Sequence, residues 1–386
     1  MFLNKMIERN SKLIETSFQL HQMGKILPDS YVVDMDTLLE NAKLILDEGR
    51  KYHIDQYFML KQLGRNPIIA QELMKLGFKG AVVVDFKEAL VMMKHHIPIC
   101  NVGHLVQMPK QQVQKLVDYG CDYFTVFSME KVREIDQAAR RANRVQKLLL
   151  KVVGSDDMIY SGQTAGFRLE ELENIAEQIK QFDHVSIEGV TSFPCFLYSE
   201  NEKKITPTNN LNTLLKAKEI LKHKGIEIKN VNAPSATSVF TIKEMRKYPV
   251  NSCEPGHGLT GTTPMHAKQD CAEVPCVVYV SEVSHNFDGH AYCYGGGHYR
   301  RSHVANALVG VNLHDAKKVN IIPPTDESID YYFEIPETCR ISDTVIMAFR
   351  YQVFVTRSQV VLVSGISANA PQIMGIYNSL GDECHE

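Results

Sequence analysis

The sequence predicts an α/β protein, a (β/α)8 TIM barrel followed by an all-β C-terminal domain. Three observations carry this expectation. Between Asp55 and about Gly261, eight short apolar runs alternate with amphipathic stretches, the pattern of parallel strands covered by helices. Eight such units within roughly 200 residues suit a closed barrel better than a doubly wound open sheet. From about Thr262 the helical periodicity stops, and short strand-like runs follow between Gly, Pro, Asn and Asp clusters.

The elements follow in chain order. Residues 1–24 mix Lys5, Glu8, Arg9 and Lys12 with spaced apolar residues. This stretch lacks the apolar centre of a signal peptide and reads as an amphipathic helix. The first barrel strand falls within 56–62 and ends near Lys61, ahead of a helix over 67–76. Residues 80–85 form the second strand, with a helix to His96. Residues 98–105 form the third, after which Pro109 opens a helix, as proline favours at a first helical position. The fourth is 123–127, before a charged helix over 129–144; the fifth to eighth are 148–153, 185–193, 228–232 and 250–253. In the C-terminal part 277–280, 291–294, 345–349 and 360–363 read as strands, and Pro323-Pro324 as a loop. The expected boundaries are 1–30 for the helical segment, 31–261 for the barrel and 262–386 for the β domain.

Composition narrows the partners. The 386 residues are 44% hydrophobic and 23% charged, as in ordinary globular proteins. A formal net charge of -3 gives no basic excess, so nucleic acid is not an expected partner. No apolar run reaches transmembrane length, so no membrane association is expected. Nine cysteines are scattered without a CxxC pair and read as reduced thiols of a cytoplasmic protein.

Lys61 ends an otherwise apolar run, and burying an ammonium costs several kcal/mol unless it is paired or neutralised. Either the strand stops there and the amine reaches solvent, or desolvation frees the amine to attack an aldehyde as a Schiff base. In a barrel the active site lies at the C-terminal ends of the strands, with phosphate commonly held after the seventh and eighth. The seventh is followed by Asn232-Ala233-Pro234-Ser235-Ala236-Thr237, the eighth by Glu254-Pro255-Gly256-His257-Gly258-Leu259-Thr260-Gly261. Glycines let backbone N–H groups approach an anion closely. One Gly-rich turn is commonly no more than a turn; two in these places, with a strand-end lysine, favour the Schiff-base reading. His104, ending the third run, faces the same mouth, either against a ring or substrate or as a hydrogen-bonded core histidine.

With these residues the chain resembles the fold-type III pyridoxal-phosphate enzymes, the superfamily of alanine racemase and ornithine decarboxylase. The likeness spans nearly the whole length, from a lead-in strand near 31–34 through the barrel to the β domain. It implies pyridoxal 5'-phosphate as cofactor, bound through Lys61, with Ser235, Gly256, His257 and Gly258 about its phosphate and His104 near its ring. It implies a small-molecule amino-acid substrate and a homodimer with shared active sites. Glu254-Pro255-Gly256 is similar to the amino-acid decarboxylases, where alanine racemases carry Arg-Pro-Gly. A glutamate there accepts a hydrogen bond from a protonated ring nitrogen, which strengthens the ring as an electron sink. That serves racemisation, decarboxylation and elimination alike.

Tyr292-Cys293-Tyr294-Gly295-Gly296-Gly297 resembles the alanine racemase stretch whose tyrosine is the second acid/base, offered across the dimer interface. The resemblance gives that role to Tyr294, opposite Lys61 on the other face of Cα. Glu337-Thr338-Cys339-Arg340-Ile341-Ser342-Asp343 is similar to the decarboxylase stretch that places a cysteine acid over Cα and a carboxylate four residues on. Cys339 and Asp343 keep that spacing. Arg340 replaces an aspartate, and a guanidinium prefers a carboxylate or phosphate, so as a substrate contact it implies an anionic or absent tail. Residues 162–167 lack the arginine that alanine racemases place near the ring hydroxyl. Cys384 and His385 are metal-type ligands, but chain ends fray, and no metal is expected. The expected function is a pyridoxal-phosphate-dependent amino-acid racemase or epimerase. The alternatives are a decarboxylase of the same fold and a non-catalytic cofactor-binding barrel, which typically lacks a C-terminal β domain.

Overall fold

In the computed structural model, which describes residues 1–384, the eight apolar runs form one parallel sheet. Its eight ring strands are Asp55–Gln56, Ala81–Val82, Ile99–Val102, Tyr123–Val126, Gln146–Val153, Val185–Thr191, Asn230–Asn232 and Ser252–Cys253, and a ninth, Phe167–Arg168, pairs off the ring with Gln146–Val153. From the second to the eighth each pairs with the next in chain order, and the eighth pairs with the first. The ring closes where Phe58 bridges Ala81 in parallel. Phe58 N–H donates to Gly80 O at 3.0 Å, and Phe58 O accepts from Val82 N–H at 2.9 Å. This unit comprises 43–60 and 67–258.

Apart from the fifth, which extends back to Gln146, the strands are shorter than the apolar runs that announce them, because buried apolar residues continue into the loops. Asp85 leaves the second strand and caps the helix Phe86–Lys94, accepting from Glu88 N–H at 2.8 Å. Pro109 stands one position before its helix, at the N-cap of Lys110–Tyr119. The largest difference is over 56–62. After Phe58 the chain leaves the sheet, and Lys61–Leu63 is a 3-10 turn rather than strand. Gly64 and Arg65 follow with φ of 64° and 58°. Pro67 disfavours a helical Asn66 and is itself suited to a first helical turn, so the helix Pro67–Leu76 begins there. A hairpin, Phe196–Ser199 with Lys204–Pro207, lies beyond the sixth strand and has no counterpart in the sequence reading.

The second unit comprises 1–42, 61–66 and the chain from Leu259 onward. The lead-in strand Ser30–Asp34 lies inside its sheet, antiparallel to Val277–Phe287 and parallel to Gln359–Ser364. It is buried along its whole length, which suits a strand with neighbours on both edges. The N-terminal segment is two helices, Leu3–Arg9 and Ser11–Gln22, broken at Asn10, which caps the second. Phe2, Leu3, Met6, Leu13, Ile14 and Phe18 pack in one core with Val32, Val278, Val280, Val361 and Val363. By their contacts the helices, the lead-in strand and 61–66 group with the β domain. The sheet also holds Asn306–Gly310, Lys317–Asn320, Thr344–Met347 and Gln372–Tyr377. Among the described residues no helix is long and apolar enough to cross a membrane.

Candidate active site

Side chains alternate along each barrel strand. The inward positions carry Asn101, Thr125, Lys151, Thr191, Asn230, Asn232, Ser252 and Glu254 in place of the branched aliphatics usual in such barrels, with Leu149 among them as an aliphatic. Buried polar groups need partners, and most of these serve one another. Thr125 Oγ1 donates to Asn101 Oδ1 at 2.8 Å, and Asn101 Nδ2 to Glu254 Oε1 at 3.4 Å. Thr191 Oγ1 donates to Asn232 Oδ1 at 2.9 Å, and Asn230 Nδ2 to the Tyr57 hydroxyl at 3.0 Å.

Three chargeable groups stand at the C-terminal side of this interior. Glu254, 8% exposed, follows the eighth strand, and its Oε2 lies 3.9 Å from His104 Nε2. His104 is buried after Gly103, which sits at φ 85° with its Cα so near the next strand that a Cβ would stand 2.6 Å from Thr125 O. Its ring meets Phe193 edge-on at 5.6 Å, and Tyr160 leans on the same phenyl at 5.9 Å. Lys151, 4% exposed on the fifth strand, holds its ammonium 5.4 Å over the Phe127 ring. Burial lowers its pKa to about 8, and the negative charge of Glu254 opposes that fall.

The two phosphate-type loops come together. Ser235 and Ala236 have left-handed φ of 117° and 49°, and Ser235 Oγ donates to Phe196 O at 2.8 Å. A Cβ on Gly258 would stand 2.1 Å from Thr237 O, so only glycine fits where the loop after the eighth strand meets the loop after the seventh. Gly256 and His257 lie on that same loop. Closely apposed backbone, a serine hydroxyl, a buried carboxylate and a buried imidazole suit a phosphorylated pyridine, and the residues present fit pyridoxal phosphate. Met59 N–H donates to Pro255 O at 2.9 Å, which pins the chain just ahead of Lys61 to the Glu254-Pro255-Gly256 loop. Lys61 itself is half-buried and opens the 61–66 segment of the other unit. There Gly64 lies against Val360 and Val353, and the Arg65 guanidinium is 5.3 Å over the Phe354 ring.

The remaining expected site residues lie in the β unit. Tyr294 ends the strand His290–Tyr294, is 37% exposed, and tilts against Tyr332 at 5.9 Å. Cys339 has its backbone clamped by the Asn286 amide at 3.0 and 2.9 Å, and burial pushes its thiol pKa up. Arg340 turns its side chain, 80% exposed, toward solvent, 4.0 Å from Asp343. Cys384 N–H donates to Ile376 O at 2.8 Å, while His385 lies outside the described residues. Among the described residues no three His, Cys, Asp or Glu side chains group as metal ligands. Sequence reasoning missed Asn101 and Lys151. For Lys151 the signal was present: a lone cation in Leu148-Leu149-Leu150-Lys151-Val152-Val153, the same pattern that singled out Lys61.

Residues 33–264 match the family described as alanine racemase, N-terminal domain, and 278–373 match that described as YhfX-like, C-terminal domain. The chain belongs to the alanine racemase N-terminal-domain family, a barrel of the pyridoxal-phosphate fold type III, here joined to a C-terminal β domain. It is 44% identical over 383 residues to the uncharacterized protein YhfX of Escherichia coli (strain K12), covering 99% of each chain. D-threonine aldolase from Filomicrobium marinum superposes with TM-score 0.68 at 14% identity, over 92% of this chain and 94% of that one. Alanine racemase of Clostridium difficile 630 in complex with cycloserine gives 0.62 at 15%, over 92% and 99%. D-threo-3-hydroxyaspartate dehydratase from Delftia sp. HT23 gives 0.67 at 12%, over 90% and 97%. At these identities the solved structures show a shared fold, and their reactions differ.

Proposed function

We propose that the protein is a pyridoxal-phosphate-dependent amino-acid racemase or epimerase, with Lys61 carrying the cofactor. The observation that most supports a bound pyridine ring is Glu254, a carboxylate buried at the end of the eighth barrel strand and held by Asn101 beside His104; racemisation rather than another carbanion reaction rests on the resemblance of the Tyr294 stretch to alanine racemases. The cofactor, when bound, supplies an electron sink for negative charge developing at Cα. Glu254 accepts the ring N–H. The loops at Ser235 and Gly256-His257-Gly258 hold the phosphate with backbone N–H groups and a hydroxyl. His104, braced edge-on by Phe193, flanks the ring. Lys61 Nζ takes or returns the Cα proton on one face, and Tyr294 of a second copy in a homodimer serves the other. The aldolase, dehydratase and racemase among the structural neighbours all act on amino acids, and the substrate class proposed here is the same.

The leading alternative is decarboxylation, favoured by Cys339. Burial keeps that thiol protonated, as a proton donor over Cα requires. One experiment separates the readings. Protein loaded with pyridoxal phosphate is reduced with borohydride and mapped, and a second portion is incubated with an amino-acid panel in D2O. The label should fall on Lys61, and Cα exchange with the carboxylate retained should appear. A label elsewhere, or none, removes the whole reading; carbon dioxide release replaces the racemase by the decarboxylase.

A further inference from the structure

The stretch that carries Tyr294 continues into Gly295-Gly296-Gly297, and none of these three glycines takes a left-handed φ. What they supply is space. A Cβ on Gly296 would stand 2.0 Å from Asp29 Oδ2, and one on Gly297 would stand 2.3 Å from the Tyr279 ring. Glycine loses more conformational freedom on folding than any other residue, so three in a row hold the chain behind Tyr294 weakly unless other groups fix it. Side chains of the β unit do so. Ser281 Oγ donates to Tyr294 O at 2.8 Å, Tyr31 Oη donates to Gly297 O at 2.5 Å, and Gly297 N–H donates to the Tyr279 hydroxyl at 3.2 Å.

Asp29 ties these groups together. It is half-buried, one residue before the lead-in strand, and its Oδ1 accepts from the Tyr279 hydroxyl at 2.9 Å and from Ser358 Oγ. Arg357 acts on it only at longer range, its guanidinium being paired with Asp330 at 3.1 Å. Burial raises the Asp29 pKa, and the two hydroxyls oppose that rise. Tyr279 has one hydroxyl proton, and the carboxylate is a nearer and stronger acceptor for it than Tyr294 O at 3.3 Å. With that proton on Asp29, the lone pairs of Tyr279 are left for Gly297 N–H. A neutral residue at 29 would avoid the cost of taking a charge out of water but would leave both hydroxyls unoriented. We propose that Asp29 is a positioning residue for Tyr294: it orients the Tyr279 and Ser358 hydroxyls, packs against Gly296, and so fixes the main chain from which the Tyr294 phenol projects. This deepens the proposed function and rests on it, since there Tyr294 is the second acid/base.

Protein labelled with 3-fluorotyrosine is observed by fluorine NMR without cofactor, and Cα–deuterium exchange of each enantiomer is measured on unlabelled protein loaded with pyridoxal phosphate. The Tyr294 line is the one that Tyr294→Phe removes. It should shift in Asp29→Ala, while Leu308→Ala, which opens a cavity elsewhere in the same sheet, should leave it in place. Exchange should fall by about 10- to 100-fold for the enantiomer that Tyr294→Phe impairs, the scale of a misplacement of about 1 Å, and stay within about twofold for the other. Tyr279→Phe, which deletes only the hydroxyl between Asp29 and Gly297, should reproduce both effects. Asp29→Asn, which keeps an acceptor oxygen, should retain most of the exchange. Adding Asp29→Ala to Tyr294→Phe should cost nothing further, because both act on one group. An unmoved line in Asp29→Ala and Tyr279→Phe, an equal fall for both enantiomers, or a further fall in the double variant overturns the inference and makes Asp29 a structural group. If Tyr294→Phe spares both enantiomers, the acid/base role of Tyr294 falls instead, and the fluorine line alone decides whether Asp29 positions it.

Discussion

Glu254 and Lys151 carry opposite charges inside one barrel, and each governs a different measurable property. Reversing the sign at 254 leaves the phosphate loops in place but removes the acceptor for the ring N–H. Glu254→Arg should therefore still bind pyridoxal phosphate, while Cα–deuterium exchange falls by about 100- to 1,000-fold, the scale of a lost electrostatic contact. Undiminished exchange would show that Glu254 does not touch the ring. Lys151 reports through pH. Its pKa in the fold is about 8, against an ordinary value of 10.5. Above 10.5 the amine is neutral whether folded or unfolded, and no penalty applies. As pH falls the unfolded chain takes up the proton first, so stability is lost progressively and the full penalty stands below about 8. In urea unfolding of cofactor-free protein, the wild type should gain up to about 3 kcal/mol on Lys151→Met between pH 8 and 10.5. A difference that stays flat over that range would mean that Lys151 is not held as a desolvated ammonium.

At the scale of elements, the loops after the seventh and eighth strands depend on one missing side chain. Gly258 approaches Thr237 so closely that a methyl group would overlap a carbonyl oxygen, a backbone atom that cannot swing aside. Gly258→Ala should spread the two loops and weaken pyridoxal phosphate binding at least about tenfold, with far-ultraviolet circular dichroism unchanged. Retained affinity would place the phosphate elsewhere. These loops were legible from composition because glycine, proline and serine mark turns locally. The 3-10 turn at Lys61–Leu63 was not, because Met59, Leu60 and Leu63 are as apolar as strand residues and only their burial beyond the sheet distinguishes them. The hairpin Phe196–Ser199 with Lys204–Pro207 escaped for a related reason: its outer positions are mixed and its alternation covers only a few residues.

For the whole molecule the open question is the second face of Cα. Tyr294 stands exposed at a strand end in the β unit, where it is accessible to another copy. If it completes a neighbour's site, Tyr294→Phe keeps cofactor binding but loses about 100- to 10,000-fold in exchange for one enantiomer, the range of a general acid or base. Mixing inactive Lys61→Ala subunits with inactive Tyr294→Phe subunits should then restore activity, because a hybrid dimer holds one intact composite site. A mixture that stays inactive although its subunits exchange would end the shared-site model and bring the decarboxylase with Cys339 as acid to the front.

The sequence alone determined the eight-fold alternation of strand and helix, the change to an all-β region, and the residues Lys61, Glu254 and Gly258 beside barrel strand ends. Each of these is written in neighbours along the chain, through periodicity, a cation in an apolar run, or a turn residue. Tertiary structure alone decided that Ser30–Asp34 joins the C-terminal sheet, since Tyr31 faces Tyr279 on one edge and Val360 on the other. It decided that the N-terminal helices bury Phe2, Met6 and Phe18 against that sheet, that Arg340 turns to solvent, and that Lys151 is buried within electrostatic reach of Glu254. The physical reason is the same in every case. Burial and pairing come from residues far away in the chain, and a local pattern carries no information about which distant surface will cover it.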